Sequence, residues 1–90
     1  MATLKESIRR VREKGMIAER IRDLPKREYD ELRENISRMI RNILPLSEQD
    51  VVLNNLDLIR DGKSTRFMGA DATRIEEECN SFLEMRDKVS

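Results

Sequence analysis

The sequence predicts an all-α fold, a small bundle of four helices, or of five if the first helix divides in two. Apolar residues recur at steps of three and four along most of the 90-residue chain, and no segment alternates apolar and polar residues over the length of a strand. Charged residues make up 40% of the chain and aromatic residues only 3%, which is typical of long-helix proteins. A chain of this length is expected to form a single domain, residues 1–90, with one core.

Two apolar stripes precede the first proline. The spacing of Thr3 and Glu6 is that of a capping box, which places a helix start near Leu4. The first stripe consists of Leu4, Ile8 and Val11, and the second consists of Ile17, Ile21 and Leu24. At about 100° per residue, the two stripes point well over a quarter turn apart. Either the helix breaks at Gly15, which makes residues 1–15 a separate N-terminal helix or arm, or it continues and offers apolar faces to two different surfaces.

The second helix has the strongest apolar period of the chain. Proline disfavours a helical conformation at the residue before it, so we expect helix boundaries at Leu24-Pro25 and Leu44-Pro45. Between these boundaries the apolar positions repeat for about four turns. They are Tyr29, Leu32, Ile36, Met39, Ile40 and Ile43.

The third helix is short and has recognisable ends. Ser47 is the expected N-cap, with Leu46 packing on Val51 as a hydrophobic staple. Asp61-Gly62 supplies the left-handed residue that commonly closes a helix. The following Lys63-Ser64 matches the end of a phosphate-binding loop, but that loop also begins with a glycine, and the chain has none at that position. A helix C-cap followed by a polar turn is therefore the favoured interpretation.

A fourth helix follows a loop over residues 63–70, with Asp71 as its cap. The predicted core combines the apolar sides of the last three helices. Its members are Leu32, Ile36, Met39, Ile40, Ile43, Val52, Leu56, Ile59, Ile75, Cys79 and Phe82, with Leu83 as a further candidate. Cys79, the single cysteine, is expected to be buried and inert. The loop residues Phe67 and Met68 either tuck under the loop, which is favoured, or stay exposed as a contact for a partner.

The composition excludes several classes of function. The chain has no histidine and one cysteine, so metal binding and Ser-His or Cys-His catalysis are not expected. Arginine and glutamate are abundant on every helix and form no distinct cluster, so we expect neither an enzyme nor a cofactor. No apolar run approaches the roughly 18 residues of a membrane span, and the first residues lack the apolar stretch of a signal peptide. We expect a cytoplasmic protein.

Charge is distributed unevenly along the chain. Residues 1–27 contain nine Lys or Arg and four Asp or Glu, and residues 71–90 contain three and six, which gives net charges of +5 and −3. The basic segment could bind the phosphates of a nucleic acid, or an acidic protein, although a solvated face is the commonest role of such a segment. The candidate phosphate-binding residues are Lys5, Arg9, Arg12 and Arg20. No aromatic residue lies among them to stack on single-stranded bases, so a duplex fits better.

The sequence favours a non-catalytic helical interaction protein, a small regulator or adaptor that acts as a homodimer. If the first helix continues through Gly15, the stripe of Leu4, Ile8 and Val11 stays exposed until a partner buries it. A second copy can do so by two-fold pairing, which places these three residues at the dimer interface. The alternative is a nucleic-acid-binding protein whose basic N-terminal helix contacts duplex phosphates without reading bases.

Overall fold

The computed structural model describes residues 17–89 of the chain, and the side chains of residues 17–88. Within this range the chain forms four helices and no strand: α1 (residues 17–23), α2 (Lys26–Arg41), α3 (Leu46–Arg60) and α4 (Ala72–Val89). Helix α2 packs against both α3 and α4. The predicted all-α class is confirmed. The predicted break at Gly15 lies outside the described residues, and none of the helices that are described is long and apolar enough to cross a membrane.

The two prolines mark helix boundaries, as predicted. Pro25 is the N-cap residue of α2, and Pro45 is the N-cap residue of α3. Helix α2 ends at Arg41, earlier than Leu44, because the chain must leave the helical conformation before Pro45. The amides of Ile43 and Leu44 both donate to the carbonyl of Ile40, at 3.1 and 2.9 Å, which closes the helix with a tight turn.

The predicted hydrophobic staple at the start of α3 is wrong. Leu46 is 78% exposed and Val51 is 46% exposed, and Ser47 lies inside the helix instead of capping it. The carbonyl of Pro45 accepts the first helical hydrogen bonds, and the proline ring already fixes the backbone for entry into the helix. Val51 contacts the loop instead: a Cβ atom added to Gly69 would lie 3.1 Å from Val51 Cγ1.

The other end of α3 has the predicted glycine closure. Gly62 has a φ of 77°, in the left-handed region that glycine adopts at little cost. The amide of Lys63 donates to the carbonyl of Leu58 at 2.8 Å, and the amide of Gly62 donates to the carbonyl of Ile59 at 3.1 Å. This pair of hydrogen bonds is a Schellman motif, which satisfies the last carbonyls of the helix.

The start of α4 lies where the sequence predicts it, directly after Asp71. Asp71 has a φ of 55°, and its backbone carbonyl accepts the Ile75 amide at 3.0 Å. Its contact with the helix is therefore made by the main chain, whereas the prediction was a side-chain cap.

One core joins all four helices. Eight of the predicted members are buried, and Leu83 is completely buried. The buried apolar residues are Ile17, Ala18, Ile21, Leu24, Tyr29, Leu32, Ile36, Ile40, Val52, Leu56, Ile59, Ile75, Cys79 and Leu83. The prediction is wrong for Ile43, which is 38% exposed because it follows the end of α2 and loses the helical register. Met39 and Phe82 are only partly buried against the core, since Leu83 takes the inner position on α4.

The single cysteine is buried, as predicted. Cys79 lies on the same side of α4 as Ile75 and Leu83 and has no exposed surface. Burial raises the pKa of its thiol to about 12, and the nearby carboxylates of Glu78 and Glu76 add to the effect. The thiol is therefore neutral and unreactive in the folded protein.

Candidate functional site

A polar network joins α2 to α3 at the edge of the core. The hydroxyl of Tyr29 donates to Asp57 Oδ1 at 2.5 Å, and Arg33 donates to both carboxylate oxygens of Asp57, at 3.0 and 3.2 Å. Burial, followed by the hydrogen bond to Asp57, raises the pKa of Tyr29. Partial burial on its own would raise the pKa of Asp57, but the hydrogen bonds from Arg33 and Tyr29 outweigh it, and this pKa is lowered. Each polar group thus has a partner within the network, which indicates a structural role.

Arg60, at the end of α3, connects this network to α1. One nitrogen of its guanidinium, Nη1, donates to the carbonyls of Ile21, Arg22 and Leu24, where α1 ends. The guanidinium carbon lies 5.1 Å from the centre of the Tyr29 ring, within the range of a cation–π contact. Arg60 therefore caps α1 with a positive charge, which the helix dipole favours.

The loop between α3 and α4 is held by one buried polar side chain. Asn55 Nδ2 donates to the carbonyl of Arg66, and Asn55 Oδ1 accepts the amide of Met68, both at 2.9 Å. The two candidate loop residues differ in burial: Phe67 packs partly against the core, whereas Met68 is 61% exposed. The predicted tucking thus holds for the phenylalanine, while the methionine faces solvent.

A groove of about 570 Å³ lies between α2 and α4. Its lining combines two apolar side chains, three carboxylates, an arginine and two small polar groups. The lining residues are Glu28, Glu31, Asn35, Glu78, Ser81, Phe82, Met85 and Arg86. Met85 is 66% exposed, and Arg86 Nε donates to Glu28 Oε2 at 2.5 Å across one part of the groove. The charged side chains that line this groove are thus mainly acidic.

Most of the candidate residues that the sequence predicts lie outside the described part of the chain. Leu4, Ile8 and Val11, and likewise Lys5, Arg9 and Arg12, lie outside the described residues. Arg20 is described, and its guanidinium forms an ion pair with Asp87 on α4. Within residues 17–89 no group of acidic, cysteine or histidine side chains is arranged to hold a metal ion.

Neither the groove nor the network was predicted from the sequence. The groove depends on which sides of α2 and α4 face each other, and the one lining residue that the apolar period marks, Phe82, was predicted to lie in the core. The network depends on pairs that are 24 and 28 residues apart, Arg33 and Tyr29 with Asp57. Helical spacing places Tyr29 and Arg33 on one side of α2, but it does not identify their partner.

Comparison with known proteins gives no match, whether to a protein-family model, a curated protein or a solved structure. Any function assigned to this chain must therefore come from its own residues.

Proposed function

We propose that this chain is a non-catalytic interaction protein, a small regulator or adaptor, that acts through a helical surface as a homodimer. The supporting observation is the burial of Ile17, Ile21 and Leu24 in the core. Each residue of the first stripe precedes one of these by thirteen positions. On a continuous helix at about 100° per residue, the first stripe points about 140° away from the second. The core that buries the second stripe cannot then bury the first.

An exposed apolar stripe on a domain of this size favours self-association. Leu4, Ile8 and Val11 cover about two turns of a helix, which is long enough for a small packed interface. A second copy of the chain always presents the same stripe, and two-fold pairing is the commonest closed arrangement of identical subunits. Dimerisation also increases the share of apolar surface that a 90-residue chain can bury.

The polar groups of the described residues support a non-catalytic role. Tyr29, Arg33 and Asp57 bind each other, and Arg60 binds the end of α1. A catalytic group needs a free acid, base or nucleophile that faces a substrate. The side chains that have shifted pKa values here are instead used to join helices or, for Cys79, to fill the core.

Light scattering coupled to size-exclusion chromatography tests the proposal. We expect twice the 10.6 kDa monomer mass at micromolar concentration. Ile8→Glu should return the monomer mass, because it places a charge in the apolar stripe. Arg10→Gln is the matched control, since it changes the net charge by the same one unit at a position that lies at least 100° from each stripe residue on a helix, and it should leave the dimer intact. A monomer mass for the unaltered chain throughout the micromolar range would refute the proposal.

The net charge of +5 over residues 1–27 favours a second candidate function, binding to duplex nucleic acid. Lys5, Arg9 and Arg12 would carry it, since Arg20 is already paired with Asp87. Anisotropy of a labelled duplex should then show binding at low salt that weakens steeply as salt rises. No binding of the duplex at low salt would remove this candidate and leave the proposed dimer standing, because light scattering measures the dimer without any nucleic acid.

A further inference from the structure

We infer that the groove between α2 and α4 binds the N-terminal segment, residues 4–14, of a second copy of this chain. The exchange is reciprocal: each copy supplies one segment and one groove. This inference rests on the proposed homodimer and names the surface of one copy that the apolar stripe of the other contacts.

The groove has the surface that an amphipathic helix needs. Its apolar lining consists of Phe82, which packs against the core, and Met85, which is 66% exposed. Met85 has a flexible, polarisable side chain that adapts to an incoming apolar residue. When a partner covers a methionine this exposed, the free energy falls, because apolar surface leaves water. The groove therefore offers an apolar contact that the isolated domain leaves in water.

The charged residues of the groove select for a basic partner. Glu28, Glu31 and Glu78 face it together with a single arginine, Arg86, which is paired with Glu28. Glu31 and Glu78 are both exposed. A cationic side chain that lies beside either carboxylate would gain favourable electrostatic energy and fix the register of the bound helix.

The N-terminal segment has the complementary pattern. Residues 1–14 contain five Lys or Arg and two Glu, for a net charge of +3. On a helix, Lys5, Arg12 and Lys14 lie about a quarter turn to either side of the Leu4, Ile8 and Val11 stripe. Glu6 and Glu13 lie on the opposite side, where they would face away from the groove. The apolar stripe thus matches the apolar lining of the groove, and its flanking cations match the carboxylates.

The N-terminal segment and the groove are also of similar length. Residues 4–14 span about 16 Å as a helix, and the groove lining on α4, from Glu78 to Arg86, spans about 12 Å. An amphipathic helix in a groove between two helices is a common mode of recognition, with anchors at steps of three and four. The partner is a second copy because, on a continuous first helix, the stripe turns away from the core of its own chain by about 140°.

Charge reversal on the two sides provides the test. The segment variant is Lys5→Glu/Arg12→Glu/Lys14→Glu, and the groove variant is Glu31→Lys/Glu78→Lys. Each should dimerise about tenfold more weakly or worse on its own, because like charges then face each other. A 1:1 mixture of the two should restore a dimer, since both segments then meet a groove of opposite charge.

Two controls exclude less specific explanations. Glu34→Lys/Glu77→Lys carries the same net charge as the groove variant, at exposed glutamates that do not line the groove, and should stay dimeric. Met85→Glu should weaken the dimer, whereas Met68→Glu, at a methionine of similar exposure (61% against 66%), should leave it intact. All variants are full-length chains compared at about 150 mM salt, where long-range charge effects are screened.

Recovery of the dimer on mixing, together with the Met85 effect, would establish the site. A dimer that is lost with Ile8→Glu but unaffected by the groove variant and by Met85→Glu would overturn this inference and leave the proposed function standing. If the segment variant binds the groove variant no more tightly than it binds the Glu34→Lys/Glu77→Lys control, the inference is overturned as well. A chain that is monomeric without any substitution would overturn the proposed function and the inference together.

Discussion

Replacing Ile36 with alanine tests the core directly, because the side chain has no exposed surface. The substitution removes three carbon atoms at about 0.8 kcal/mol each, or about 2.4 kcal/mol of transfer free energy. Ile36 is enclosed by the packed helices, so a cavity remains and raises the cost to about 3 to 4 kcal/mol. A domain of 90 residues is stable by roughly 5 to 13 kcal/mol, so the variant should still fold.

Ile43→Ala is the matched control, because it makes the same chemical change at a residue that is 38% exposed. We expect it to cost about 1 kcal/mol, since less surface returns to water and no closed cavity forms. Urea unfolding followed by circular dichroism, at one protein concentration, measures both values. At a slope of about 1.5 kcal/mol per M, Ile36→Ala should lower the midpoint by about 2 M. Equal losses for the two variants would refute the assignment of α2's buried side.

Three further predictions concern the polar contacts and the loop. Asn55→Ala should cost about 2 kcal/mol in urea unfolding and speed amide exchange at Met68, because two hydrogen bonds to the loop are lost. The lowered pKa of Asp57 contributes stability above the unfolded value of about 3.9, and this contribution disappears as pH falls through the folded value. Asp57→Asn should therefore reduce the loss of unfolding free energy between pH 6 and pH 3 by up to about 1 kcal/mol, and an unchanged loss would contradict the network. Gly62→Ala should lower the free energy of unfolding by about 1 kcal/mol, since its φ of 77° strains any residue with a Cβ.

Local chemistry made most of the fold predictable. Pro25 and Pro45 determine where two helices begin, and the left-handed Gly62 determines where α3 ends, because each acts through its own backbone. The apolar period gave the buried side of α2 as far as Ile40. It failed at Ile43, because the period continues in the sequence after the helix has ended.

The candidate site was less predictable, because its parts come from different helices. Whether Phe82 or Leu83 enters the core depends on how α4 is rotated against α2, and both are apolar residues at helical spacing. The carboxylate of Asp57 resembles many others in a chain that has 18 acidic residues. Its role becomes apparent only when α3 is placed beside Tyr29 and Arg33.

The burial of Cys79 gives the chain a native reporter of transient opening. It is the only thiol in the sequence, and a maleimide can reach it only in molecules whose α4 has separated from the rest of the core. When reclosing outpaces labelling, the labelling rate follows the open fraction. An opening free energy of about 5 kcal/mol slows labelling by about 4,000-fold relative to an unfolded chain. Every variant described above keeps this thiol, so their opening equilibria can be compared in native buffer without denaturant.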